Sequence, residues 1–333
     1  MKKHKICKIL LVILAIFLCV AFYELLGICV AYKKQPEVSN TTKKETKNGS
    51  WNECSENPER AVIIEKNPEA LLQRVRLIKN AKKEIILSTF AFQSDESGKL
   101  ILGALHDAAD RGVHIRLLVD GMESWIDMEG NPYFYGLSSH ENVEIKLYNK
   151  ANPLKPWKMM GRMHDKYLIA DGKRYILGGR NTYNYFLGDF PGHKNYDRDV
   201  LVVCDEPEKE NSVNQLLEYF ETIWEQEDSG YFHNNKKLAN RKSVKNAVLE
   251  LQNSYQKYFE ENKERICETN YTDETFETEK ITLVSNPIHT GSKEPVVWYQ
   301  LGELMKNAKN RVKIHTPYII CNDMMYNTWE EIA

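Results

Sequence analysis

Residues 164–181 read HDKYLIADGKRYILGGRN, and this stretch decides the fold and points to the chemistry. Lys166 to Ala170 and Tyr175 to Gly178 are two short β runs around Asp171-Gly172, a strong hairpin-turn signal. Side chains two apart on an extended chain share a face, so His164 and Lys166 point the same way. An imidazole beside an ammonium on one face is electrostatically awkward unless an anion binds between them, and a phosphate supplies such an anion. Gly178 and Gly179 allow close backbone approach, and Asn181 adds an amide donor just beyond. An H-x-K triplet alone is more often an ordinary hairpin with an exposed His and Lys. The whole spaced set is not.

Outward from the hairpin, strand and helix patterns alternate. Val62 to Ile64 predicts a strand, and Pro68 to Lys82 carries Leu71, Leu72, Val75, Ile78 and Ala81 on one helical face. Glu84 to Phe92 is β-rich and apolar on both sides, as a buried strand would be. Ser97 to Arg111 predicts a helix ended by Gly112, and Val113 to Val119 a further strand. This order implies an α/β layer structure, expected here as a mixed, mostly parallel sheet with helices on both faces. Downstream, Val200 to Val203 is a strand candidate. Leu216, Leu217, Phe220, Ile223 and Trp224 form a core-facing helical stripe within 207–229. Val244 to Glu260 reads as an amphipathic connecting helix.

Upstream of this region lies a different kind of segment. From Ile9 to Tyr32, Glu24 is the only strongly ionisable side chain in 24 residues, enough for a helix to span a bilayer core. The run is longer than the apolar part of a secretion signal, and no A-x-A site follows it. Residues 1–32 are therefore expected to be a single-pass anchor in the cell membrane. Lysines flank the helix on both sides, and the N-terminus is placed inside. Residues 33–59, polar and broken by Pro36 and Pro58, read as a linker.

Composition bounds the alternatives. The 333 residues carry 45 Lys plus Arg against 47 Asp plus Glu, a net charge of −2 that argues against a globally basic nucleic-acid binder. Apolar residues at 42% exclude wholesale disorder. Seven cysteines are too few for a disulfide scaffold. Cys7, Cys19 and Cys29 lie in or beside the apolar run, and Cys54, Cys204, Cys267 and Cys321 are scattered without zinc-ligand spacing.

The spaced set His164, Lys166, Asp171, Gly178, Gly179 and Asn181 resembles the signature H-x-K-x4-D-x6-G-[GS]-x-N of the phospholipase D superfamily, with no departure in spacing. LIKNAKKEIILSTFAF (77–92), DAADRGVHIRLLVDG (107–121) and LLEYFETIWE (216–225) resemble its bacterial cardiolipin synthase branch. The resemblance runs over about 60–333. It implies that His164 attacks phosphorus and carries a phosphohistidine, or acts as the paired general acid. It further implies that Lys166 and Asn181 hold the non-bridging phosphate oxygens. The acid that fixes the other imidazole nitrogen falls at Asp197, with Asp199 in reserve. Asp171 matches the motif acid, although its place in the turn suits a structural role as much as a catalytic one. No metal or other cofactor is implied.

An internal repeat completes the reading. LMKNAK at 304–309 echoes LIKNAK at 77–82, an offset of 227. Residues 60–285 would then be a first half with the motif, and 286–333 the start of a second half. A second His would fall near position 391, beyond Ala333, so the chain looks truncated before its second motif. The activity implied is phosphatidyl transfer between two phosphatidylglycerol molecules, giving cardiolipin and glycerol. The partners implied are anionic phospholipids and the membrane, with no nucleic acid; this chain alone is expected to show little activity unless two copies associate, a two-chain form that the begun repeat argues against. A hydrolase or nuclease of the same superfamily, or a catalytically incomplete binding protein, are the rival readings.

Overall fold

The computed structural model describes residues 2–49, 58–208, 210–233, 235–316 and 318–333. Residues 50–57 of the expected linker, Cys54 among them, lie outside the described residues. The chain divides into two compact units: 1–53 with 153–161 and 283–333, and 54–152 with 162–282.

In the first unit, α1 (Lys2–Ala31) contains a 27-residue stretch, Lys5–Ala31, with an 18-residue window of mean hydropathy 2.9, long and apolar enough to cross a membrane. The Tyr23 hydroxyl donates to the Leu154 carbonyl at 3.0 Å. A helix not expected from sequence, α2 (Asn40–Asn48), forms inside the polar linker because Ser39 caps it, accepting from Thr42 N at 3.1 Å.

The second unit holds the sheet. Its elements in order are β1 (Arg60–Ile64), α3 (Asn67–Asn80), β2 (Glu84–Thr89), α4 (Glu96–Asp110), β3 (His114–Asp120), α5 (Gly121–Asp127), α6 (Pro132–Ser138) and β4 (Val143–Tyr148). Then follow β5 (Tyr167–Ala170), β6 (Arg174–Gly178), β7 (Asp199–Val203), α7 (Ser212–Trp224), β8 (Ser229–Tyr231), α8 (Lys242–Glu261), α9 (Lys263–Cys267) and β9 (Phe276–Glu277). The strand order is β8-β4-β3-β2-β5-β6-β7-β1-β9.

The expected mostly parallel sheet is corrected by this pairing. Among the described residues β2–β3 and β3–β4 are parallel, and the other six pairings are antiparallel. The reason lies in the connections. Of the consecutive strands that pair with each other, only β2–β3 and β3–β4 have helices between them, and a parallel pair needs such a crossover. The Asp171-Gly172 turn folds β5 back on β6, and the helix-free stretch 179–198 returns as β7 antiparallel to β6. Parallel pairing of successive strands through helices is confined to 84–148.

Helices cover both faces. Leu87, Leu168, Ile176 and Leu201 join the core with α3, α4, α6 and α8 residues on one face. On the other face α7 meets Tyr167 through Phe220, and Tyr175 through Ser212. The helical part of the repeat is α10 (Val296–Lys306) in the first unit, where residues 311–316 form no strand; α11 (Asp323–Ile332) follows.

Asp171 locks the hairpin to its neighbour. It adopts φ 55°, and its carboxylate accepts from the amides of Lys82, Lys83 and Glu84 at 2.7–3.1 Å. Asp171→Ala is expected to cost about 1–3 kcal/mol in denaturant unfolding, because three backbone donors lose their acceptor. Asp171→Asn, which keeps one acceptor oxygen, should cost less.

Candidate active site

The site forms where the ends of β2, β5 and β6 meet. β5 begins at Tyr167, so His164 and Lys166 lie on the extended approach to it rather than on the strand itself. Their common face is retained. The His164 ring packs edge-on against Phe90, centroids 4.7 Å apart, and the Lys166 ammonium lies 5.4 Å from the same ring. Asp165 points to the opposite face, where its carboxylate accepts from the Tyr219 hydroxyl at 2.8 Å.

Lys166 is 6% exposed, and its ammonium donates to the His164 carbonyl at 2.7 Å. Burial pulls its pKa down to about 8, against the opposing charges of Asp165 and Asp197. The His164 pKa is also lowered, first by partial burial, then by the Lys166 charge; Asp120 opposes the shift and Arg162 adds to it. Burial and the Lys166 charge both favour the neutral imidazole, which keeps a lone pair available.

Gly178 and Gly179 carry the neighbouring strands close to this point. The Gly178 amide donates to the Lys166 carbonyl at 3.1 Å, and the Gly179 amide to the Arg198 carbonyl at 3.3 Å. A Cβ at Gly179 would overlap the Asp197 carboxylate, and one at Gly178 would overlap Asp199. Asn181 is buried beside the end of β2, its Oδ1 accepting from Ala91 N at 3.3 Å.

The structure thus brings His164, Lys166 and Asn181 to the end of β2 that Phe90 and Ala91 follow, with Asp197 against Gly179. The Asp197 carboxylate accepts from the Arg198 amide at 2.7 Å; among the described residues no hydrogen bond joins it to His164. Asp171 lies at the other end of β5. Seven residues of extended chain, about 3.3 Å each, separate it from His164. Asp199 is buried in an ion cluster with Arg74 and Arg180.

Three nearby residues were not read from sequence. Asp120, fully buried at the end of β3, caps α5 and accepts from Arg162 Nε at 2.9 Å and Met163 N at 3.0 Å. Arg162 lies 5.3 Å from the Phe90 ring. Asp120 stood in VDG as a bare turn residue, and Phe90 in an apolar run. Neither pattern shows that the chain returns to them some 40 to 70 residues later. A cavity of about 650 Å³, floored by Leu71, Leu72, Leu100, Phe190 and Tyr258, lies elsewhere, and none of the motif residues lines it. Among the described residues no cluster of His, Cys, Asp or Glu could hold a metal ion.

Residues 75–224, which include His164, Lys166, Asn181 and Asp197, match the family described as "Cardiolipin synthase, PLD-like domain". The chain contains a phospholipase D superfamily domain. The chain is similar to an uncharacterized protein of Helicobacter pylori strain J99, 31% identical over 219 residues, which cover 61% of this chain and 40% of that protein. It is also similar to cardiolipin synthase C of Escherichia coli K12, 28% identical over 183 residues, covering 50% and 37% respectively. Among solved structures, NucT from Helicobacter pylori has a TM-score of 0.41 at 17% identity, covering 52% of this chain and 99% of that one. The chain spans less than half the length of these two curated relatives.

The charges of the phospholipase D domain predict two linked titrations. Lys166→Gln removes a like charge beside His164, so the His164 pKa should rise toward its usual value. Asp197→Asn removes a charge that supports the ammonium, so Lys166 should titrate below about 8. NMR titration of the two side chains in each variant reads both shifts.

Proposed function

We propose that the chain is a membrane-tethered phosphatidyltransferase of cardiolipin synthase type. The reading is carried by His164 and Lys166 on one face against Phe90, within the segment that matches the cardiolipin synthase-like domain. In this reading the neutral imidazole attacks the phosphorus of phosphatidylglycerol. A P–N bond forms to His164 and the P–O bond to the headgroup glycerol breaks. Lys166 and Asn181 bind the non-bridging oxygens, where charge redistributes as the transition state forms. Asp197 is the acid that orients the imidazole.

A hydroxyl of a second phosphatidylglycerol then attacks the phosphohistidine. The P–N bond breaks, cardiolipin leaves and the imidazole is restored. Among the described residues no second histidine is hydrogen-bonded to or stacked on His164. In this reading a second half-site, in the same polypeptide or in another copy, protonates the departing glycerol and takes the proton of the incoming hydroxyl. Such general acid–base help is worth on the order of 10²–10⁴ in rate. Helix α1 holds the site at the cell membrane and raises the effective concentration of anionic lipid.

Reconstitution into phosphatidylglycerol vesicles, with lipid products resolved by mass spectrometry, tests the reading. Cardiolipin and glycerol are expected in equal amounts. His164→Ala should abolish their formation, and Asp197→Asn should lower it by roughly 10²-fold or more. Phosphatidic acid as the sole lipid product would make water the acceptor. Product formation unchanged in His164→Ala would remove His164 from the chemistry.

A further inference from the structure

The most deeply buried charges near the site are not among its phosphate-binding residues. Arg180 stands between Gly179 and Asn181, and its side chain is 0% exposed. Its guanidinium donates to Asn67 Oδ1 at 3.2 Å, to the Ile64 carbonyl at 3.1 Å and to the Glu65 carbonyl at 2.7 Å. Its fourth partner is Asp199 Oδ2, 3.3 Å away. The same carboxylate oxygen accepts from Arg74 Nη1 at 2.9 Å, and Arg74 donates on to the Ala70 carbonyl at 3.0 Å. Arg74 and Asp199 side chains are 5% and 0% exposed. Asp199 Oδ1 is buried with no hydrogen-bond partner among the described residues, on the side where a Cβ of Gly178 would overlap it.

Two guanidiniums and one carboxylate removed from water carry a heavy desolvation cost, and well-packed apolar side chains often serve stability as well or better. The cluster instead supplies fixed geometry. It ties the exit of β6 to the first residue of β7 and to the corner between β1 and α3. Those two edges carry the site: Asn181 follows Arg180 directly, and Asp197 precedes Asp199 by two residues across from Gly179. The cluster also leaves one positive charge unneutralised among its three members, a favourable sign for a neighbouring anion.

We infer that Arg180 and Asp199 are positioning residues, which act on the bound phosphate through Asn181 and Asp197 without touching it. The inference rests on the phosphate-site reading above. Lys in place of Arg180 keeps the charge against Asp199 but gives up the planar fork that reaches three further acceptors.

The test is the affinity of the full chain, in detergent, for inorganic phosphate by isothermal titration. Asn181→Ala should weaken binding about tenfold, and Arg180→Lys and Asp199→Asn should each do the same. Arg180→Lys in the Asn181→Ala background should add almost nothing, because the lost interaction is already absent. Thermal unfolding verifies that each variant is folded; where Asp199→Asn is not, Arg180→Lys, which keeps the buried ion pair, carries the test. Wild-type affinity in both Arg180→Lys and Asp199→Asn would overturn the inference and leave the phosphate site standing. A full additional loss in the double variant would also overturn it, since Arg180 would then act independently of Asn181. Phosphate affinity unchanged by both His164→Ala and Lys166→Gln would overturn the site itself, and this inference with it.

Discussion

A buried ammonium without a carboxylate is the constraint on which the site depends. Lys166 is almost wholly removed from water, and among the described residues its hydrogen bond goes to a backbone carbonyl two residues back. No ion pair joins it to a carboxylate there, although Asp165 and Asp197 are near enough for their charges to be felt. A cation held in this way is costly, and its pKa falls as a result. The next imidazole on the same face is kept neutral by the same surroundings. A bound phosphate would relieve the electrostatic cost, since it brings negative charge to the ammonium and leaves the imidazole lone pair free to react.

The fold supplies the rigidity that this arrangement needs. The turn at Asp171 sets β5 against β6 in a register that brings Gly178 beside Lys166. Asp171 then fastens the far end of the hairpin to the start of β2 through three amides. At the near end Phe90 and Ala91, just beyond β2, contact His164 and Asn181. Asp120 and Arg162 brace the chain as it enters this segment. The motif acid Asp171 serves the turn at one end of β5, while His164 and Lys166 lie together against Phe90 at the other.

Much of this was legible in the sequence, and the part that was not has a physical cause. Alternation along an extended chain is local, so the shared face of His164 and Lys166 followed from their spacing alone. Hydrophobic periodicity located α3, β2, α4 and β3 to within a few residues. Strand direction is not local. A strand–helix–strand pattern over 84–120 says nothing about strands joined without helices, and so the sheet was expected to be mostly parallel when it is mostly antiparallel. The partners of the site were hidden for the same reason. Phe90, Asp120 and Arg162 are ordinary in their own windows and acquire meaning only when three strand ends converge. Helix α2 was missed because a single capping serine turns a polar stretch into a helix with little apolar periodicity to announce it. Arg180 and Asp199 stood beside motif residues, but pattern alone could not show that they pair in the core.

Direct capture of the covalent intermediate tests the central claim, that His164 is the group that attacks phosphorus. The full chain, mixed with phosphatidylglycerol bearing labelled phosphorus and quenched with base, would be digested and mapped by mass spectrometry. A phosphatidyl adduct on His164, stable to base and labile to acid, is the predicted result. An adduct on any other residue, or turnover with no adduct under conditions that trap one on a known phosphohistidine enzyme, would contradict it.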